Sequence, residues 1–315
     1  MVVAILMSTF NGEKYLNEQI ESLVNQTYKH WNLFIRDDGS IDHTSQIITK
    51  WMRRDKRIHY IDDDSKNLKP ANSFLKLLKE VEADYYFFCD QDDYWKSIKL
   101  ETMLKNASNN QTIPNLVYCS LKCTDKNLVL EENDFENLMG KLSGKSRFIG
   151  NDMPGCVMMI NKKLRDVAIN SYTGNNIIMH DWWLALIAEV FGNIAFLDKK
   201  LIYYRQHGDN SIGAGHRGGI IRKAFHKDVF SKQEDLVKET YFQAKEFYSV
   251  FHNQLSDEWN DFLSMFIKCG SESYRYRLQF FNTYKLHESS KLRTLAYEYF
   301  FVFKLNNLLA TKERD

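Results

Sequence analysis

Apolar and polar positions alternate in two rhythms along the first half of the chain. Short continuous apolar runs take turns with stretches in which apolar residues recur every three or four positions. Val2–Met7 is one such run, as expected of a strand buried on both faces. After Asn11-Gly12, residues Leu16, Ile20, Leu23 and Val24 fall on one helix face. Trp31–Ile35 predicts the next strand and Asp38-Gly39-Ser40 a turn. Asp42 then stands where an N-cap would start a helix that turns Ile47, Ile48 and Trp51 inward. Arg57–Ile61 reads as a third strand, Phe74, Leu75, Leu78 and Val81 mark a helix, and Tyr85–Cys89 is a fourth strand. Strands separated by helical stretches imply βαβ units, hence an α/β layer with a parallel sheet of nucleotide-binding type.

The pattern then becomes mixed. Leu116–Ser120 and Val157–Ile160 predict strands, Asp181–Phe191 a helix, and Ile194–Leu197 and Leu201–Arg205 two closing strands. The glycine-rich, apolar-poor stretch Gly208–Gly219 marks a boundary. Beyond it Tyr241, Ala244, Tyr248, Phe251 and Leu255 keep helical spacing, as do Leu292, Leu295, Tyr299 and Val302. The expected organisation is one domain over residues 1–215 and a helical region over 216–315.

Composition narrows the classes. In 315 residues, 42 Lys and Arg face 41 Asp and Glu, a net charge of +1 that argues against a nucleic-acid partner. Hydrophobic residues make up 44%, enough for a packed core. The five cysteines form no CxxC pair and are odd in number, so they read as reduced thiols rather than disulfides or a zinc site. The apolar N-terminal run lacks the basic flank and cleavage site of a signal peptide. No apolar stretch approaches the roughly 18 residues that span a bilayer. A cytoplasmic protein, peripheral to the inner face of a membrane at most, is the expectation.

Candidate chemistry sits at the ends of the predicted strands, where open α/β sheets bind ligands. Asp90-Gln91-Asp92-Asp93 follows the fourth strand, and carboxylates at that density repel unless a cation neutralises them. Oxygen ligands of this kind suit Mg²⁺ or Mn²⁺ carried by a diphosphate, although a solvated acidic turn has the same composition. Arg36-Asp37-Asp38-Gly39-Ser40 follows the second strand and reads equally as a turn or as a carboxylate for ribose or base. Met153-Pro154-Gly155-Cys156 leads into a strand, and His180-Asp181-Trp182-Trp183 opens a helix with a carboxylate beside aromatic faces. Tyr204-Arg205-Gln206-His207 ends the last strand.

In this order and spacing, Ser8–Gly12, Asp37–Ser40, Asp90–Asp93, His180–Trp183 and Tyr204–His207 resemble the blocks of family 2 glycosyltransferases. The resemblance covers roughly residues 1–213. It implies a GT-A fold, a Rossmann-like mixed sheet that binds nucleotide-diphospho-sugars, followed here by a helical appendage. The strings Arg36–Ser40, Asp90–Trp95, His180–Leu186 and Tyr204–Gly213 are further similar to bacterial cell-wall rhamnosyltransferases of streptococcal type. Galactosyl- and N-acetylhexosaminyl-transferases share much of the pattern.

Carried over by motif, the resemblance implies that Thr9 and Asp38 border the nucleobase, with Asp37 toward the ribose. It adds Asn11, Asn67 and Gln91 to the nucleotide-sugar contacts, puts Asp90 near ribose and phosphate, and makes Asp92 a metal ligand of a DXD motif. His207 would complete the metal or diphosphate shell. Asp181 would be the base that deprotonates the acceptor hydroxyl, and Trp95, Gly155, Trp182 and Arg205 would touch sugar or acceptor. Where the family often reads Asn-Leu-Gly, this chain has Asn67-Leu68-Lys69. The implied reaction is a single displacement with inversion, from dTDP-β-L-rhamnose to a polysaccharide or lipid-linked glycan, assisted by Mg²⁺ or Mn²⁺. A UDP-galactose or UDP-N-acetylhexosamine donor, a non-catalytic nucleotide-sugar or glycan-binding module and a metal-dependent phosphohydrolase are the alternatives. Lys268–Lys304 interleaves basic and aromatic residues, which suits packing onto the chain's own core, a second copy in a homodimer, or a membrane surface.

Overall fold

The N-terminal apolar run becomes a central strand of the sheet, flanked on both sides by other strands. A computed structural model describes residues 1–131, 134–207 and 224–310. Its first half runs β1 (Val3–Thr9), α1 (Leu16–Val24), β2 (Asn32–Asp37), α2 (Thr44–Arg54), β3 (Ile58–Tyr60), α3 (Lys69–Glu80) and β4 (Tyr85–Cys89). Then follow β5 (Tyr94–Trp95), α4 (Lys99–Lys105), β6 (Asn115–Thr124), β7 (Met158–Asn161), α5 (Lys162–Asn170), α6 (His180–Phe191) and β8 (Asn193–Arg205). The sheet order is β3-β2-β1-β4-β7-β6-β8-β5. The β3-β2-β1-β4 half is parallel, and β7 is antiparallel to both its neighbours. This is the mixed α/β sheet expected of the chain.

Burial explains the run-like strands. Val3 to Met7 and Tyr86 to Cys89 have almost no exposed surface, because helices cover both sheet faces. On α1 the buried side, Leu16, Ile20 and Leu23, is the periodic stripe. Asp42 acts one residue earlier than a standard cap, its Oδ1 accepting the Thr44 N–H at 3.0 Å and the Thr44 hydroxyl at 2.5 Å. The two expected closing strands are one strand. Leu197 pairs with Cys119 and Lys200 with Ser120, so Asp198 and Lys199 form a bulge that lets both apolar runs stay in the ladder.

Two compact units are distinguishable. The first holds Met1–Asn137, Met153–Tyr172 and the chain from Met179 through β8. The second holds Leu138–Asp152, Thr173–Ile178 and the helices α7 (Ala224–Phe251), α8 (Asp257–Lys268), α9 (Tyr274–Tyr284), α10 (Lys291–Phe303) and α11 (Leu305–Ala310). The Gly208–Gly219 boundary expected from sequence lies outside the described residues.

The core of the helical unit is aromatic: Phe247, Phe262, Phe266, Phe280 and Phe301 are all fully buried. Arg277, 3% exposed, is part of that core, donating to the carbonyls of Cys269 (3.0 Å) and Val302 (2.9 Å). The helical spacing of Leu292, Leu295, Tyr299 and Val302 is realised in α10: Leu292, Leu295 and Tyr299 face outward, and Val302 faces inward with Ala296, Tyr297 and Phe301. The helix is rotated to bury the larger aromatic pair, and a 2.6 Å hydrogen bond between the Tyr297 and Thr240 hydroxyls fixes that rotation. Phe301→Ala should therefore lower the unfolding free energy by about 3–5 kcal/mol, whereas Leu295→Ala should stay within about 0.5 kcal/mol, as read by urea unfolding of the full chain.

Candidate active site

A cleft of about 390 Å³ opens at the carboxyl ends of β1, β2 and β4, the position where this sheet type gathers ligand-binding groups. Thr9, Asp38, Asn67, Asp90, Gln91, Asp92, Gly155 and Asp181 of the sequence candidates line it.

The β1–β2 rim is built on one carboxylate. Asp38 Oδ1 accepts the Leu68 N–H and Oδ2 the Lys69 N–H, both at 2.9 Å, and the Arg36 guanidinium donates to Oδ1 at 2.7 Å. Arg36, 1% exposed, also reaches Asp63 (2.8 Å) and Ser73 (3.0 Å). These bonds hold Asn67 and Lys69 at φ 57° and 64°, left-handed conformations that cost an L-residue about 1–2 kcal/mol each. Lys69 thus keeps the backbone shape that the glycine of Asn-Leu-Gly would adopt without strain. Asp37 and Asn11 are not among the residues that line the cleft. Asp37 accepts from the Thr9 hydroxyl (2.8 Å) and Ser40, and Asn11 Oδ1 accepts the Ile41 N–H (2.9 Å), so both brace the turn behind Thr9. Gln91 clips β1 to β4 by pairing with both the N–H (2.9 Å) and carbonyl (3.0 Å) of Phe10. Gly12 packs against it, and a Cβ there would push the end of the Gln91 side chain aside.

Carboxylates dominate the floor. Asp90 is raised to about 7, first by burial and then by Asp92 and Asp181 nearby. Asp93, fully buried, is pushed well above the usual range by burial and by Asp92 and Asp90. Asp181, in the first turn of α6, accepts the Gly155 N–H at 2.9 Å and the Trp182 N–H at 2.6 Å. Burial outweighs those bonds and raises it to about 7. His207 Nε2 lies 2.7 Å from Asp92 Oδ2 at the cleft edge.

Two donor sets could be considered for a cation. Asp90, Asp93 and Cys156 offer ligand atoms within 4.8 Å of one another. Burial, then Asp93 and Asp90, push the Cys156 thiol far up, and a soft sulfur donor suits Mg²⁺ or Mn²⁺ less than oxygen does. Asp92 lines the cleft beside Asp90, and the His207 imidazole adjoins its Oδ2, so the pair offers oxygen and one imidazole nitrogen. That set fits a divalent cation of the Mg²⁺ or Mn²⁺ kind.

Residues 4–168, just over half of the chain, match the family model described as glycosyl transferase family 2. The chain belongs to that family. The dTDP-rhamnosyl transferase RfbG of Shigella flexneri is 28% identical over 247 residues, 72% of this chain and 82% of the relative. The putative teichuronic acid biosynthesis glycosyltransferase TuaG of Bacillus subtilis is 32% identical over 106 residues, only 33% of this chain and 41% of the relative. Among solved structures, S. aureus TarS 1–349 in complex with UDP aligns with a TM-score of 0.55 at 16% identity, covering 100% of this chain and 92% of that one. The mannosyltransferase PcManGT from Pyrobaculum calidifontis, in complex with GDP-Man and Mn²⁺, gives 0.53 at 12% identity, covering 99% and 86%. The fold is GT-A with a helical C-terminal region, and the protein is a glycosyltransferase.

Three residues expected to touch sugar or acceptor lie elsewhere in the glycosyltransferase. Trp95, 1% exposed, is core: the Lys99 ammonium sits 3.0 Å from its ring centroid. Trp182 is buried at the start of α6 and does not line the cleft. Arg205, 2% exposed, is spent on protein groups, donating to the carbonyls of Asp92 (2.7 Å) and Lys126 (2.6 Å) and pairing with Glu18. Its guanidinium also lies 4.5 Å from the Tyr15 ring, which in turn stands 4.8 Å from the His207 ring. Arg205 therefore positions Asp92 and His207 from behind.

Sequence reasoning missed Lys99, Arg36 and the role of His180. Lys99 is fully buried and donates to the Cys156 carbonyl at 2.6 Å, and burial lowers it to about 8. His180 lines the cleft, stacks on Phe74 at 4.3 Å, and is driven to about 3 by burial, so it is neutral. The arginine of Arg36–Ser40 was a legible signal, since a basic residue two before a cleft carboxylate invites pairing. Lys99 carried none. Arg205→Met should destabilise the fold by about 3 kcal/mol, weaken Mn²⁺ binding at least tenfold in a titration followed by electron paramagnetic resonance, and not be rescued by Arg205→Lys, which lacks the planar fork.

Proposed function

We propose that this glycosyltransferase moves L-rhamnose from dTDP-β-L-rhamnose onto a hydroxyl of a growing cell-wall or capsular polysaccharide, with inversion at the anomeric carbon. The observation that carries the catalytic part is Asp181: a carboxylate in the cleft, oriented by two backbone N–H groups and raised to about 7. A hydroxyl nucleophile needs a base whose pKa is near working pH, and Asp181 meets that requirement. As the acceptor oxygen bonds to the anomeric carbon, its proton passes to Asp181 and the bond to the diphosphate oxygen breaks on the opposite face. Asp90 and Asp92 line the same cleft, with Asp181 near enough to raise Asp90, and in this reading they serve the diphosphate. A divalent cation held by Asp92 and His207 would supply Lewis-acid stabilisation of the leaving diphosphate.

Donor and acceptor rest on kinship. The Shigella flexneri relative is named a dTDP-rhamnosyl transferase and aligns over most of both chains. The Bacillus subtilis relative is named a putative teichuronic acid biosynthesis glycosyltransferase. Thr9 and Asp38 then border the nucleobase, Gly155 stands beside the acceptor through its link to Asp181, and Asn67 and Gln91 shape the donor end.

A panel of dTDP- and UDP-sugars tests the reading by release of nucleoside diphosphate, with Mg²⁺ or Mn²⁺ and a rhamnose-terminated or lipid-linked acceptor. Acceptor-dependent release from dTDP-β-L-rhamnose is expected, falling by about 10²–10⁴ in Asp181→Asn. Because the base works only when ionised and its pKa is raised, the wild-type rate should drop as pH falls through about 7, and the residual rate of Asp181→Asn should lack that limb. Release only from a UDP-sugar would overturn rhamnose as the cargo while leaving Asp181 as base.

A further inference from the structure

On the helical unit, large apolar side chains stand exposed in one ridge. Along α10 they are Leu292, Leu295, Tyr299 and Phe303, 45%, 64%, 44% and 54% exposed, at spacings of three, four and four residues. Tyr274 of α9 extends the ridge, its ring 6.1 Å from that of Phe303, which in turn lies 5.7 Å from Tyr299. Leu278, one turn along α9 from Tyr274, is exposed too. These are different residues from the aromatics that pack the unit's core, so core packing does not account for them.

Basic groups predominate around the ridge. Arg275, Lys285, Lys291, Arg293 and Lys304 are exposed on α9, α10 and the turns beside them, and Glu298 is the one half-exposed carboxylate among described residues 274–304. Arg275 stands 6.0 Å from the Tyr274 ring. Leu and aromatic residues along the crown of a helix, flanked by Lys and Arg, make the pattern of a helix that lies in a lipid interface. No helix among the described residues is long and apolar enough to cross a membrane, so such contact would stay at the surface. A ridge about one helix wide is small for the roughly 800 Å² that each partner buries in a stable dimer, and lysine is depleted from such interfaces.

We infer that the exposed ridge of α10 and α9 docks this protein on an anionic lipid bilayer, with Leu292, Leu295, Tyr274, Tyr299 and Phe303 entering the interface and the flanking cations meeting the headgroups. This inference is independent of the donor sugar. Its vesicles carry no glycan, so the failure of one reading leaves the other standing.

The test is co-sedimentation of the full chain with vesicles of phosphatidylcholine alone or of equimolar phosphatidylcholine and phosphatidylglycerol. Binding to the mixed vesicles should exceed binding to the neutral ones at least about tenfold at low salt, since each basic residue near the surface contributes severalfold. The double variant Leu295→Glu/Phe303→Glu should lose that binding, and Lys291→Glu/Arg293→Glu should lose the preference for anionic lipid. Both variants should keep the wild-type circular dichroism and melting temperature, which separates lost docking from lost folding. Absence of wild-type binding to the mixed vesicles would overturn the inference, as would unchanged binding by Leu295→Glu/Phe303→Glu. A wild-type dimer that the same variant splits would assign the ridge to a second copy of the chain instead.

Discussion

Asp90 and Asp181 face one cleft, and being screened from water raises both to about 7, with Asp92 and Asp181 adding to the rise at Asp90. Packing acids this way stores unfavourable electrostatic energy that a folded protein would otherwise shed. The arrangement becomes reasonable when a cation shares the cleft, because a nucleoside diphosphate alone would add to the repulsion. Donor and cation are therefore expected to arrive together. Asp181 differs from the others in its support, the peptide N–H groups of Gly155 and of Trp182 at the start of α6. On the proposed reading, carboxylates of one cleft are divided between charge matching and proton acceptance.

Two buried arginines hold the rims of this cleft without entering the chemistry. Arg36 ties Asp38 to Asp63 and Ser73, and Asp38 in turn fixes the loop that carries Asn67 and Lys69. Arg205 ties the backbone of Asp92 to Lys126 and Glu18, with Tyr15 lying between it and His207. A planar guanidinium can satisfy several acceptors at fixed angles, which a lysine ammonium cannot do as rigidly. Lys99 has a different place, under the Asp90–Asp93 turn, where it braces the Cys156 carbonyl and the Trp95 ring.

Much of this was legible in the chain. The strands of the parallel half are continuous apolar runs because they are buried on both faces, and that signal is strong enough to locate β1 and β4 to within a residue or two. Motif order carried the family, and with it the cleft residues Thr9, Asp38, Asp90, Asp92 and Asp181. What failed did so for physical reasons. Trp95, Trp182 and Arg205 belong to motifs whose neighbours face the cleft, yet motif membership does not say which way a side chain points. Spacing located α10 as a helix, but it does not say which face is buried, and the larger Tyr297–Phe301 pair took the core with Val302. The bulge at Asp198-Lys199 joined two runs that polar residues had separated on paper.

The most direct test of the account is calorimetric titration of the intact protein with dTDP, with Mn²⁺ present and then with the metal chelated. If the clustered carboxylates are matched by a shared cation, dTDP binding should be at least tenfold tighter with Mn²⁺, and Asp92→Asn should erase most of that difference while leaving the melting temperature close to wild type. Equal affinity with and without the metal would contradict the account, because the acidic floor of the cleft would then be accommodating a diphosphate unaided.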